Sequence, residues 1–190
     1  MLRAFVLKVA QRMKAAQLEM ILVIPPMRYT SERQMSTFFD RKDFDVLKKE
    51  IAFFSIMTYD FSSRPGPNAP INWTRAAIEM LVPENITAER NKILVGLNFY
   101  GYDYSPTNTR ALVNTEYSAI VHNEALDLAC KWSHEYREME FRYKVHNEIH
   151  EMWYPTPNSV RARIDLSREL NVGISIWEIG QGIEPFYDYL

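Results

Sequence analysis

The sequence predicts an α/β fold built on a parallel sheet with right-handed crossovers. Two features point there. Four short, continuous apolar runs have the character of strands buried on both faces, and amphipathic helical segments separate them. The opening segment, 1–17, carries Arg3, Lys8, Arg12 and Lys14 with no acid before Glu19, and Leu2, Phe5, Val6, Val9 and Met13 recur at helical spacing. It reads as an outer helix of the α/β fold; an acid-poor amphipathic start also suits a mitochondrial presequence. A secretory signal fits poorly, because Lys8 interrupts the apolar stretch.

The first strand is expected near 20–24, closed by Pro25-Pro26, and a short helical or turn segment follows at 44–50. A second strand is expected near 53–59. The Ser-, Pro- and Gly-rich loop 62–70 breaks regular structure, and a helix over 73–81 opens on Asn72 as its N-cap. A third strand is expected near 92–99 and a fourth near 172–177, the latter preceded by a helix over 159–170. The stretch near 114–157 breaks this rhythm. Its alternations, such as Glu138-Met139-Glu140-Phe141-Arg142-Tyr143, predict an antiparallel insertion hairpin.

A length of 190 residues is read as one domain. Apolar residues make up 47% and charged residues 24%, which excludes a disordered chain, and no apolar run reaches the 18 or so residues of a membrane span. Lys and Arg number 22 against 24 Asp and Glu, so no basic surplus drives nucleic-acid binding. Cys130 is the sole cysteine, which rules out an intrachain disulfide.

In parallel α/β folds, ligand-facing residues sit just past the carboxyl ends of the strands. Those places hold Tyr59 and Asp60, then Asn98, Tyr100, Tyr102, Asp103 and Tyr104, then Trp177 and Glu178. Aromatic rings stack on the apolar faces of pyranoses while short polar groups bind hydroxyls, so this mixture suits a carbohydrate site; rim packing of the rings is the competing reading.

The residues here resemble a known family. Phe54-Ser55-Ile56-Met57-Thr58-Tyr59-Asp60 resembles the sixth-strand motif of family 18 glycoside hydrolases, the chitinases and chitinase-like lectins. Gly96-Leu97-Asn98-Phe99-Tyr100-Gly101 resembles their seventh-strand motif, and Gly173-Ile174-Ser175-Ile176-Trp177-Glu178 the eighth. The Arg64-Pro65-Gly66-Pro67-Asn68-Ala69-Pro70 loop and the Gly180-Gln181-Gly182 ending, followed by Phe186-Tyr187-Asp188, are similar to the chitinase domain-containing branch of that family, the stabilin-interacting chitinase-like proteins. The resemblance implies the carboxyl-terminal half of a (β/α)8 TIM barrel, whose complete form takes about 250 residues. It implies an oligosaccharide ligand of the N-acetylglucosamine type, no cofactor, a secreted or lysosomal location and a scavenger-receptor-type protein partner. Met57, Tyr59, Asp60, Asn98, Tyr100 and Trp177 would then bind substrate. Tyr59 would donate toward an N-acetyl carbonyl, Asp60 would hold substrate or neighbouring polar groups, and Trp177 would stack under the ring.

Two departures bear on activity. The fourth-strand motif, Asp-x-x-Asp-x-Asp-x-Glu, whose Glu is the general acid, occurs nowhere in the 190 residues. Substrate-assisted hydrolysis needs that acid to protonate the leaving oxygen. Glu178, from the opposite half of the implied barrel, is not a substitute, so no catalytic residue is assigned. Asn98 and Tyr102 also stand where active chitinases commonly carry Pro and Arg. The expectation is a saccharide-binding chitinase-like chain. The alternatives are part of an active hydrolase whose acid lies upstream, and an interaction protein without sugar chemistry.

Other signals are weaker. His146-Asn147-Glu148-Ile149-His150 spaces two histidines as a zinc helix does but lacks Glu after the first, so surface histidines and no metal are expected. Cys130 is expected to be a small buried hydrophobe. Glu135, Glu138 and Glu140, interleaved with Arg137 and Arg142, are expected on a solvated strand face. Asn72-Trp73-Thr74 and Asn85-Ile86-Thr87 are glycosylation sequons.

Overall fold

The computed structural model describes residues 2–29, 35–36, 38–83 and 88–190. Helix α1 (Leu2–Ala15) places Val6, Leu7 and Ala10 against the core. It ends in Arg12 and Lys14, which complement the negative end of its dipole. Strand β1 (Ile21–Ile24) follows, then the short antiparallel pair β2 (Arg28–Tyr29) and β3 (Met35–Ser36). Helix α2 (Arg41–Leu47) starts on a reciprocal cap: the Asp43 N–H donates to Asp40 Oδ1 at 3.0 Å and the Asp40 N–H to Asp43 Oδ2 at 3.2 Å. Strand β4 (Phe53–Ile56) sends Phe54 into the core, where its ring centroid lies 4.8 Å from that of Phe44.

Helix α3 (Ile71–Leu81) buries Trp73, Ala77, Ile78 and Leu81. It starts two residues earlier than expected. Pro70, not Asn72, holds the N-cap position and supplies no side-chain cap. Thr74 of the first sequon is buried on this helix, and the second sequon, at Asn85, lies outside the described residues. Strand β5 (Ile93–Asn98) is nearly all buried. After the insertion, α5 (Pro157–Glu169) leads into β11 (Gly173–Trp177); Pro157 occupies the first turn of α5, and Thr156 caps it by accepting from the Ser159 N–H.

The strands β1, β4, β5 and β11 form one parallel sheet in that order. Ser55 on β4 and Ser175 on β11 hydrogen-bond at 2.8 Å although β5 runs between them. Two strand spacings on a flat sheet are about 9.6 Å, so the sheet curls inward strongly along this face. It is part of a barrel wall, and the described strands form no closed barrel.

The insertion is larger than the hairpin expected near 114–157. It begins at Gly101 as a five-stranded antiparallel sheet in the order β7-β6-β10-β9-β8. Its strands are β6 (Gly101–Tyr104), β7 (Thr109–Leu112), β8 (Ala129–Ser133), β9 (Glu138–Val145) and β10 (Glu148–Tyr154), with helix α4 (Asn114–Val121) inserted. Tyr102, Asp103 and Tyr104 therefore belong to β6, not to a loop after the third strand.

His146 and Asn147 form the two-residue turn of the β9–β10 hairpin, both with positive φ (46° and 69°), the backbone that primed turns require. The segment is thus a hairpin and not a helix. His150 is not a surface histidine either. Its Nδ1 lies 3.0 Å from the buried Asp103 carboxylate and its ring stacks on Tyr143 at 4.9 Å. Cys130, on β8, is exposed rather than buried. No helix among the described residues is long and apolar enough to cross a membrane.

Candidate functional site

The carboxyl ends of β4 and β5 approach each other closely because Gly96 carries no side chain. A Cβ there would stand 2.4 Å from the Ile56 carbonyl oxygen and 2.9 Å from the Tyr59 ring. Thr58, fully buried, donates its hydroxyl to the Gly96 carbonyl at 2.8 Å and locks the two ends together. The chain then turns sharply at Asp60, whose φ of 59° lies in the left-handed region that Asp tolerates better than most residues.

Asp60 is the hub of the site. Its Oδ1 accepts from the hydroxyls of Tyr100 and, at 3.0 Å, Tyr102. Its own N–H donates to Asn68 Oδ1 at 2.7 Å, and its carbonyl accepts from Arg28 at 3.2 Å. Oδ2 makes no hydrogen bond among the described residues, which leaves one carboxylate oxygen open to a ligand N–H or O–H. Three tyrosine rings stand in series. Tyr59 meets Tyr100 edge-on at 6.1 Å, and Tyr100 meets Tyr102 edge-on at 5.7 Å.

Burial, reinforced by the Asp60 charge, pushes the phenols of Tyr59 and Tyr102 up to about 12 and that of Tyr100 further. All three remain neutral hydrogen-bond donors at neutral pH. The Tyr59 hydroxyl has no partner among the described residues and is a free donor beside the carboxylate.

Met57, Tyr59 and Asp60 line a cavity of about 220 Å³ with Pro25, Pro26, Arg28 and Phe38. One apolar wall, a carboxylate and a phenol can hold a small polar ligand with an apolar face. Among the residues expected at the site, the structure thus gathers Met57, Tyr59, Asp60, Tyr100 and Tyr102. Asn98 is buried nearby, but its side-chain nitrogen donates to the Tyr100 carbonyl at 2.8 Å and serves the backbone. Trp177 pairs in register with Asn98 at the end of β11, the sheet's other edge, and is 58% exposed. Asp103 and Tyr104 belong to the insertion sheet. Among the described residues, no group of three or more His, Cys, Asp or Glu side chains is placed to hold a metal ion.

Sequence reasoning missed Arg28, Asn68, Glu138 and Arg163. Glu138 is not on a solvated face: it is 4% exposed and pairs with the buried Arg163 at 2.6 Å. One signal for Arg163 is present in the sequence. Ser159, Arg163 and Ser167 recur every four residues on α5, a polar seam on a buried face.

Among known proteins, glycosyl hydrolases family 18 match this chain over residues 2–182. The chain is 31% identical over 160 residues to the cortical fragment-lytic enzyme of Bacillus subtilis, covering 80% of this chain and 36% of that enzyme. It superposes on a chitinase from Chromobacterium violaceum with a TM-score of 0.83 at 21% identity, over 98% of this chain and 59% of that one. The spore cortex-lytic enzyme of Bacillus megaterium gives a TM-score of 0.80 at 26% identity, over 99% and 45%. The chain spans little more than a third of the length of the curated relative. These relatives correct the narrower expectation: the curated similarity runs to Bacillus cortical fragment-lytic enzymes, not to the stabilin-interacting chitinase-like branch. They lend no support to a lysosomal location or a scavenger-receptor partner.

Proposed function

The chain belongs to glycosyl hydrolase family 18, and on that premise we propose that it binds N-acetylglucosamine-type oligosaccharides at the carboxyl ends of β4, β5 and β11. The observation that carries this reading is the Asp60 carboxylate, held on one oxygen by two tyrosine hydroxyls and open on the other beside an apolar cavity. In this reading Asp60 Oδ2 accepts from the ligand, the free Tyr59 hydroxyl donates to its N-acetyl carbonyl, and Met57 lies under the acetyl methyl. Trp177, exposed on the same rim, offers a stacking face. Asn98 and Tyr100 act from behind, through the backbone carbonyl and the Asp60 hydrogen bond.

Protonating a glycosidic oxygen requires a carboxylic acid placed at it, and the family's Asp-x-x-Asp-x-Asp-x-Glu motif is not in these 190 residues. The reading for this chain by itself is binding without hydrolysis. A second reading has a specific basis, since the chain spans 36% of a lytic relative. There it forms part of an active glycosidase whose acid comes from sequence outside these residues. A fluorogenic chitobioside separates the two. Release by this chain refutes the binding-only reading, and release solely by a longer form carrying the acid supports the second.

The test of the site is calorimetric titration with N-acetylglucosamine trimer. Asp60→Asn keeps an acceptor oxygen and tolerates the backbone but removes the charge, and it is expected to weaken binding at least about tenfold, the value of one charge-assisted hydrogen bond. Unaltered affinity refutes the assignment. Titrating cortical fragments alongside decides which polymer is preferred.

A further inference from the structure

We propose that Glu138 and Arg163 act as positioning residues for Asp60, with Asn68 as the link; only the binding arm of the test below rests on the saccharide reading. Glu138 lies on β9 of the insertion and Arg163 on α5, both buried. Arg163 donates to Glu138 Oε1 at 2.6 Å, to the carbonyls of Ser159 at 2.8 Å and Arg137 at 3.1 Å, and to that of Ala69. The two oxygens of Glu138 in turn accept consecutive backbone N–H groups from the loop after β4, Asn68 at 2.9 Å and Ala69 at 2.6 Å. A carboxylate that takes two adjacent amides fixes both peptide planes, and the guanidinium behind it fixes the carboxylate.

Asn68 passes that order on. Its carbonyl accepts the Phe61 N–H at 2.9 Å, its Oδ1 accepts the Asp60 N–H at 2.7 Å, and its Nδ2 donates to the Tyr100 carbonyl at 3.4 Å. One side chain therefore bridges both halves of the hub, the residue carrying the carboxylate and the residue carrying the phenol. Asp60 holds a left-handed backbone that few residues adopt unaided, and the direction of its carboxylate follows from that backbone. Hence a loop without regular structure is set from outside by an ion pair joining the insertion to the last helix. Charges suit the task because removing either partner leaves the other buried and uncompensated.

Asn68→Ala cuts the link while leaving the ion pair and both of its amide contacts. In the whole chain, hydrogen exchange at the Asp60 amide is expected to quicken about tenfold while exchange at Ala69 holds, and trimer affinity to fall by about the same factor. Asn68→Leu fills the same space without the acceptor and is expected to leave the Asp60 amide as unprotected as in Asn68→Ala, whereas a purely space-filling role for Asn68 would restore the protection. Glu138→Gln combined with Arg163→Met removes both charges together and is expected to release Ala69 and Asp60 alike. An Asp60 amide as protected as in the unaltered chain, in Asn68→Ala or in the double variant, overturns the proposal. If the unaltered chain does not bind the trimer, the saccharide reading falls, and the exchange rates still decide the positioning role.

Discussion

The ends of β4 and β5 and the end of β11 sit on one rim of one sheet, yet they are built by different means. At the inner ends the Asp60 N–H, its carbonyl and one carboxylate oxygen all have partners, and the backbone approach at Gly96 leaves no room for a methyl group. At the edge, Trp177 has its strand register to Asn98 and an open face. Strands with neighbours on both sides can be held to a fixed geometry, whereas an edge strand offers surface. A saccharide site uses both: hydrogen-bonding groups need direction, while a stacking ring needs area.

The contrast is broken most severely at Gly96. Gly96→Val drives a branched side chain into the Ile56 carbonyl and the Tyr59 ring, and a loss of about 3 kcal/mol or more is expected from overpacking, read as the urea midpoint. A midpoint near that of the unaltered chain would show that the inner ends are looser than the contacts imply.

Alkali probes the same ends more gently. The phenols of Tyr59 and Tyr102 are raised to about 12 in the folded chain, against about 10 when unfolded. Their contribution to stability is therefore complete below pH 10. Above it the unfolded state sheds protons that the folded state keeps, so stability falls as pH rises from 10 toward 12. Denaturation midpoints across that window test the sign, and Tyr59→Phe with Tyr102→Phe is expected to flatten the slope.

The smallest effect on folding belongs to the edge. Trp177→Ala removes an exposed ring and is expected to change stability by less than about 0.5 kcal/mol. The same change should weaken trimer binding by about fivefold to tenfold, the value of an aromatic stacking contact. Binding that survives Trp177→Ala intact would confine the site to the inner ends.

How much of this was legible depends on how local the cause is. Ile21 to Ile24, Phe53 to Ile56 and Ile93 to Leu97 announce parallel strands by apolar runs, and Asp60 is conspicuous as an acid directly after one of them. Burial on both faces holds only for β5, however: Ile21 and Val23 on β1 are more than half exposed. The extent of the insertion was hidden because Gly101 to Tyr104 alternates tyrosines with one buried acid, so the pattern resembled a polar strand end. Glu138 and Arg163 were hidden for a stronger reason. A charged residue in sequence reads as solvated, and only the fold reveals that its partner lies 25 positions away inside the protein. Asn98 shows the opposite case: an amide at a strand end looks ready for a ligand, yet one of its N–H groups serves the carbonyl two residues on.

Cys130 carries a consequence of simple stoichiometry. It is the one thiol in these 190 residues, and it lies exposed on β8 of the insertion sheet. Each chain can form a single interchain bridge, so disulfide-linked products of this chain stop at two copies. For the same reason a maleimide dye titrated to completion counts chains one for one and reports on the insertion alone.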